Sequence, residues 1–179
     1  ALNRVRDLVL YNLEAGPAVL TDNNDIRIYT DGKEKFHALI EEMKRAKKYI
    51  HVQYYIIRND EVWQDIEKVL IEKAHEGVEV RVLFDSMGCR TMHKRDWDRL
   101  KCEGIRVAEF FPAILGQLQM RVNYRNHRKI VVIDGKVGFV GGFNVGREYI
   151  GKDEKFGYWR DTHLCIEGAA VTSLAVRFV

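Results

Sequence analysis

Two nearly uninterrupted apolar runs, Tyr49–Ile57 and Val78–Phe84, constrain this chain more than any other feature. Both are rich in aromatic and β-branched residues, and strands that are apolar on both sides need cover on both sides. Between them Val62, Trp63, Ile66, Val69, Leu70 and Ala74 recur at helical spacing until Gly77 stops the pattern. The same alternation flanks this unit. Ile26–Tyr29 reads as a strand, followed by a helix that Thr30 or Asp31 can cap and that carries Phe36, Leu39, Ile40 and Met43 on one stripe. Trp97 and Leu100 mark a short helix ended by Gly104, and Ile105–Phe110 follows as a strand. Strand–helix–strand alternation repeated in this way predicts an α/β domain: a mixed, largely parallel β-sheet flanked by helices on both faces.

The second half changes character. Lys129–Ile133 and Val137–Val140 flank Asp134-Gly135, a strong hairpin signal. A loop from Gly141 to Gly157 leads to a last strand, Thr162–Ile166. Val171, Leu174, Ala175 and Phe178 then recur at helical spacing up to the final residue, which reads as a helix cut short. At the other end Leu2, Val5, Leu8, Val9 and Leu13 form an amphipathic helix ended by Gly16-Pro17, with no signal sequence. The expected organisation is a helix and linker over residues 1–23 and one domain over 24–179, truncated at both ends.

Charge and composition exclude several classes. With 29 basic and 26 acidic side chains in 179 residues, the net charge of +3 is too mild to argue for nucleic-acid binding. The longest uncharged stretch, Phe110–Met120, is far short of the ~20 apolar residues that cross a bilayer. Cys89, Cys102 and Cys165 are spaced for neither a metal site nor a disulfide framework, so a reducing compartment is the simpler reading. No phosphate-binding Gly-rich loop ending in Lys-Ser or Lys-Thr is present, nor a carboxylate cluster for Mg²⁺ or a His/Cys set for Zn²⁺. No cofactor and no metal are expected.

Specific chemistry begins at Asn126. His127 and Lys129 stand two apart at the entry to a strand, so both project to one face. The ammonium lowers the imidazole pKa, and a neutral imidazole is what attack on phosphorus requires. The same ammonium offsets charge on phosphate oxygens. Beyond Asp134 come Gly141-Gly142, which allow backbone N–H groups to approach an anion, and Asn144, whose amide adds a donor. Nucleophile, cation and amide together suit a tetrahedral anion.

This arrangement resembles the His-x-Lys-x-x-x-x-Asp signature of the phospholipase D superfamily, here His127, Lys129 and Asp134, followed by the Gly141-Gly142-Phe143-Asn144 element. Asn123–Lys129, Glu148–Gly151 and Trp159–Leu164, with Tyr29–Gly32 and Tyr54–Ile57 upstream, are similar to the first catalytic half of bacterial cardiolipin synthases. The resemblance implies that His127 is the nucleophile and forms a phosphatidyl-histidine. Lys129, Asn144 and Gly142 would hold the phosphate, and Asp161 would take the proton on the far ring nitrogen. Asp161 paired with Arg160 at a strand edge is the plainer alternative. Asp134, grouped with the catalytic set, is in the family structural or orienting.

The superfamily uses two such motifs, the second histidine protonating the leaving alkoxide. His37, His51, His75, His93 and His163 lack a lysine two residues on, so this chain supplies one half. The other half would come from the same full-length chain or from a homodimer. The resemblance implies a phosphatidyltransferase that joins two phosphatidylglycerols, or a related anionic phospholipid, with release of glycerol. It would work at a membrane surface, on the cytoplasmic side of a bacterial cell-membrane protein, this stretch itself being soluble. The alternative is a homodimeric nuclease or phosphodiesterase. The apolar stretch around Phe111, Ile114 and Leu115, with Arg121 and Arg125 to draw headgroups, reads as a lipid-dipping loop or as a lid over the core. Arg147 and Glu148 lie close enough to Asn144 in sequence to shape a headgroup site. His51 and His163 read as hydrogen-bonded structural histidines, and Trp63, Trp97 and Trp159 as core or rim aromatics.

Overall fold

A computed structural model describes residues 2–16, 19–110 and 125–178. The stretch containing Phe111, Ile114, Leu115 and Arg121 lies outside the described residues. In chain order the elements are α1 (Leu2–Ala15), β1 (Asn24–Asp31), α2 (Gly32–Lys44), β2 (Tyr49–Tyr54), α3 (Glu61–His75), β3 (Glu79–Asp85), α4 (Lys94–Cys102) and β4 (Arg106–Phe110). Then come β5 (Ile130–Ile133), β6 (Val137–Gly141), a 3₁₀ turn (Arg147–Ile150), β7 (Arg160–Gly168) and α5 (Ala170–Phe178). No described helix is long and apolar enough to cross a membrane.

The described strands form one mixed sheet in the order β1-β7-β6-β5-β2-β3-β4. β2, β3 and β4 pair in parallel, whereas β5 joins β2 antiparallel and β6, β7 and β1 continue antiparallel. The expected parallel character therefore holds for direction: β1, β2, β3, β4 and β6 run one way, β5 and β7 the other. It does not hold for the pairing of neighbours, which is mostly antiparallel, because the second half enters through the hairpin.

Alternation along the strands sorts the core. Val131 and Ile133 join Ile50, Val52, Val80, Val82 and Phe139 under α2, α3 and α4, where Leu39, Met43, Trp63, Ile66, Leu70 and Leu100 are buried. Ile130, Val132 and Ile166 face the other way, against Val171 of α5. Trp63 and Trp97 are core residues, Trp97 stacking on Phe84 with ring centroids 3.9 Å apart. Helices thus cover both faces, three on one and α5 on the other. The amphipathic α1 forms as expected, yet Val5, Leu8, Leu10, Tyr11 and Leu13 face solvent, with Leu8 62% exposed.

Local signals explain the element ends. Asp31, one of two cap candidates, accepts from Lys33 N at 2.8 Å and Glu34 N at 3.2 Å and starts α2. Asp60 does the same for α3 through Val62 N. At the hairpin Asp134 (φ 54°) and Gly135 (φ 67°) both take positive φ, as the central residues of a type I′ turn do, and Lys136 N closes that turn on Ile133 O at 2.9 Å before Val137 pairs with Ile133.

Asp134 also clamps the turn onto the neighbouring strand. Its carboxylate accepts from Lys47 N, Lys48 N and Tyr49 N at 2.8, 2.7 and 2.9 Å, and its own N–H donates to Tyr49 O at 3.0 Å. Burial pushes the carboxyl pKa up, but the three N–H donors outweigh it and hold the group below its ordinary 3.8. Asp134, grouped by sequence with His127 and Lys129, has its carboxylate turned to residues 47–49 instead. It lies at the far end of β5 from Lys129, about 16 Å away at ~3.3 Å per residue.

Replacing Asp134 by alanine leaves three N–H groups without their acceptor and is expected to lower stability by about 2–4 kcal/mol in urea denaturation. A depressed carboxyl pKa stabilises fully above 3.8, and that contribution is lost as pH falls through the lower folded value. The gap between the two proteins should therefore narrow below pH 3.8; a gap that stays constant there would contradict the clamp.

Candidate active site

The carboxyl ends of β2, β3 and β4 lie at one edge of the sheet, the edge at which open α/β sheets bind ligands. Because β5 is antiparallel to β2, the residues that precede it arrive at this same edge, as do the exit of β6 and the entry of β7. His127, Lys129, Gly142, Asn144 and Asp161 are therefore brought to one edge.

His127 is exposed, while Lys129 is only 4% exposed. The Lys129 Nζ stands 2.9 Å from His127 Nδ1, 3.3 Å from Nε2 and 2.8 Å from the His127 carbonyl oxygen. The imidazole rests on the ring of Tyr55, with centroids 4.4 Å apart. Burial, and then the Lys129 charge, lower the His127 pKa, with Asp85 acting against them. Burial brings Lys129 down to about 8, partly offset by the Asp161 carboxylate. The two side chains are thus in contact, and among the described residues no carboxylate bonds the Lys129 Nζ.

The remaining expected site residues have other partners. Asn144 is buried, its Oδ1 accepting from Ile56 N at 3.1 Å and its Nδ2 donating to Tyr149 Oη at 3.0 Å. It ties the exit of β2 to the loop after β6, and among the described residues one of its amide hydrogens has no acceptor. The Gly142 N–H donates to Thr162 O at 2.9 Å, so its donor belongs to the pairing with β7. A Cβ at position 142 would overlap the Asp161 carboxylate, and one at 141 would overlap His163. The glycine pair makes room for these two side chains. Asp161 itself accepts from Thr162 N at 2.7 Å and, among the described residues, bonds neither His127 nor Arg160.

Several residues at this edge were not singled out from the sequence, although weak signals for them exist. Asp85, the last residue of β3, is 1% exposed and accepts hydrogen bonds from two loops. A carboxylate closing an apolar strand at the ligand edge was the available signal. Lys35 is fully buried, with Nζ donating to Tyr54 Oη at 2.8 Å and lying 3.8 Å from the Phe36 ring centroid. Its spacing to Leu39 and Met43, on the apolar stripe, was the sign of burial. His163 is buried as expected, but neither ring nitrogen has a hydrogen-bond partner among the described residues. Burial, then Lys35 and Lys129, push its pKa far down, so it is neutral. His51 meets Glu79 at 3.5 Å and stacks on Phe178.

Beside His127 opens a cavity of about 440 Å³ lined by Phe110, Arg125, Asn126, His127 and Arg128. Arg128 is tied to α5 by Nη1 donating to Arg177 O at 3.0 Å. Arg147 and Glu148 line a different cavity of about 330 Å³ with Arg58 and Asp60, in which Arg58 Nε meets Glu148 Oε1 at 3.2 Å. Among the described residues no group of three or more His, Cys, Asp or Glu is placed to hold a metal ion.

Residues 39–161 match the family model described as "Cardiolipin synthase, PLD-like domain". Over 172 residues, 96% of this chain, the sequence is 52% identical to cardiolipin synthase 2 of Staphylococcus epidermidis, of which it covers 35%. It is 53% identical over the same length to cardiolipin synthase of Staphylococcus aureus, covering 34%. The chain thus spans about a third of the length of these relatives. Among solved structures, NucT from Helicobacter pylori superimposes with a TM-score of 0.65 at 14% identity, over 87% of this chain and 93% of that one. At that identity the likeness shows the fold alone.

The Lys129 side chain is expected to lose its proton near pH 8, read as a step in its ¹³Cε shift. Asp161→Asn removes the charge that holds the proton on, so the step should move to lower pH. An unmoved step would show that Asp161 does not act on Lys129.

Proposed function

Because the chain belongs to the cardiolipin synthase, PLD-like domain family, we propose that it supplies one of two His-x-Lys halves of a phosphatidyltransferase acting on phosphatidylglycerol. The observation that carries this reading is a buried Lys129 Nζ held against the exposed His127 imidazole at the ligand edge of the sheet. A His127 ring nitrogen attacks phosphorus, the N–P bond forms, and the P–O bond to glycerol breaks. The departing alkoxide takes a proton from the second half, a contribution of roughly 10²–10⁴-fold. The hydroxyl of a second phosphatidylglycerol then attacks the phosphatidyl-histidine and gives its proton to that same group, while the N–P bond breaks and frees the imidazole.

Lys129 has two successive partners in this scheme. Its contact with Nδ1 engages the ring until a phosphodiester oxygen competes for the ammonium. Transfer of the ammonium to phosphate frees the imidazole and stabilises charge on phosphorus oxygens where water is excluded. The remaining Asn144 amide hydrogen is a second donor, Gly142 gives Asp161 its space, and Asp161 keeps Lys129 charged. Arg125 and Arg128 beside His127 suit an anionic headgroup, and through it an anionic membrane surface.

In the complete protein incubated with phosphatidylglycerol and quenched in acid, mass spectrometry should find a phosphatidyl group on the peptide bearing His127. His127→Ala should carry no adduct and make no cardiolipin; product from that variant would end the reading. Cleavage of bis(p-nitrophenyl) phosphate or DNA without lipid transfer would favour a phosphodiesterase. The pH profile of kcat/KM should rise below 6.5, since the imidazole pKa is lowered, and fall near 8 as Lys129 deprotonates.

A further inference from the structure

His127 stands in a strap, residues 125–129, that has no regular hydrogen bonding of its own ahead of β5. Something else must fix where its ring points. The Asp85 carboxylate, fully buried at the end of β3, is divided between two tasks. Its Oδ1 accepts from Met87 N at 2.9 Å and Gly88 N at 3.3 Å, which shapes the loop after β3. Its Oδ2 accepts from Asn126 N at 3.3 Å, reaching across 41 residues of sequence to the peptide just before His127. Arg125 Nη1 stands 4.0 Å from Oδ1, and Asn126 Oδ1 in turn accepts from Arg128 N at 3.3 Å.

The other end of the same loop supports the opposite side of the ring. Gly88 passes so close to Tyr55 O that a Cβ there would overlap it, and the Tyr55 ring is the surface on which the imidazole lies. One carboxylate therefore shapes both the strap that carries His127 and the loop packed behind Tyr55. We propose that Asp85 is the positioning residue for His127, holding the strap through Asn126 N–H while Asp161 serves Lys129.

This inference rests on His127 being the nucleophile. The charged groups acting on the imidazole are the Lys129 ammonium and the Asp85 carboxylate, and the carboxylate favours the imidazolium form. Asp85→Asn keeps an oxygen for Met87 N and Gly88 N but turns an NH₂ toward Asn126 N–H. In that variant of this chain, with amide spectra away from the loop unchanged, the His127 ring should titrate at lower pH than before. Asn126 N–H should exchange with solvent at least about tenfold faster. In the complete protein kcat should fall roughly ten- to a hundredfold with KM changed less than about twofold.

The proposal is overturned if Asp85→Asn leaves the His127 titration and Asn126 exchange unchanged, or if Asp161→Asn alone moves them. It is also overturned if Asn126 N–H in the unaltered protein exchanges at the free-peptide rate, a measurement that needs no variant to fold. Lack of a His127 adduct with these amide and titration effects intact would remove the catalytic reading and leave the positioning by Asp85 standing.

Discussion

An ammonium group taken out of water without a bonded carboxylate is costly by several kcal/mol, and folding must offset that cost elsewhere. Lys129 is such a group: nearly all its surface is covered, and its hydrogen-bond partners among the described residues are an imidazole and a carbonyl oxygen, with the Tyr55 ring 5.3 Å away. The fully buried Lys35 shares this interior, where His163 has no hydrogen-bond partner among the described residues. In the proposed reaction an arriving phosphodiester anion would find a cation already stripped of water, in a medium where the attraction is stronger than at the surface. Binding energy unused in the free protein would then become available as charge builds on phosphorus oxygens. Asp161 sits far enough away to hold the proton on Lys129 without neutralising it through a direct bond.

The sheet explains why the motif is spaced as it is. β5 is four residues long, and those four separate Lys129 from Asp134. One end of the strand delivers the cation to the ligand edge; the other ends in a turn that is locked to residues 47–49 by three N–H bonds. A slip of one residue between β5 and β2 would send Lys129 to the face covered by α5. In the proposed reaction Asp134 would therefore act without touching the substrate, by holding the register that decides where the lysine points. Had β5 run parallel to β2, its first residues would have arrived at the opposite edge.

Legibility in the sequence followed the range of the interactions. The strands and helices through Phe110 could be read because apolar spacing and a cap such as Asp31 are local. The pairing of His127 with Lys129 could be read because two residues along a strand share a face. The direction of β5 and its neighbours was harder, since Asp134-Gly135 announces a hairpin but not which strand it joins. Gly141 and Gly142 looked like an approach for an anion because their true neighbours, His163 and Asp161, lie about twenty residues on. The expected hydrogen bond of His163 is missing for a similar reason: burial was visible in the strand pattern, but the two lysines around it were not. Asp85 was hidden because nothing in Phe84-Asp85-Ser86 records a bond to a peptide 41 residues away.

The groups around His127 also limit what this half can do. A displacement at phosphorus that expels an alkoxide needs a proton donor on the side away from the nucleophile, since entering and leaving atoms lie roughly in line. In the proposed reaction Lys129 is occupied by the phosphate oxygens. The Asp85 carboxylate is wholly covered and takes hydrogen bonds from three N–H groups. Tyr55 meets the imidazole with its ring, and Asp161 lies against Gly142 on the lysine's side. His127 cannot serve as the acid in the step in which its own lone pair forms the N–P bond. Lys129, Asp85, Tyr55 and Asp161 are thus engaged, and in the proposed reaction the acid reaches phosphorus from outside this set. The cavity beside His127 leaves the imidazole accessible from that side, flanked by Arg125 and Arg128.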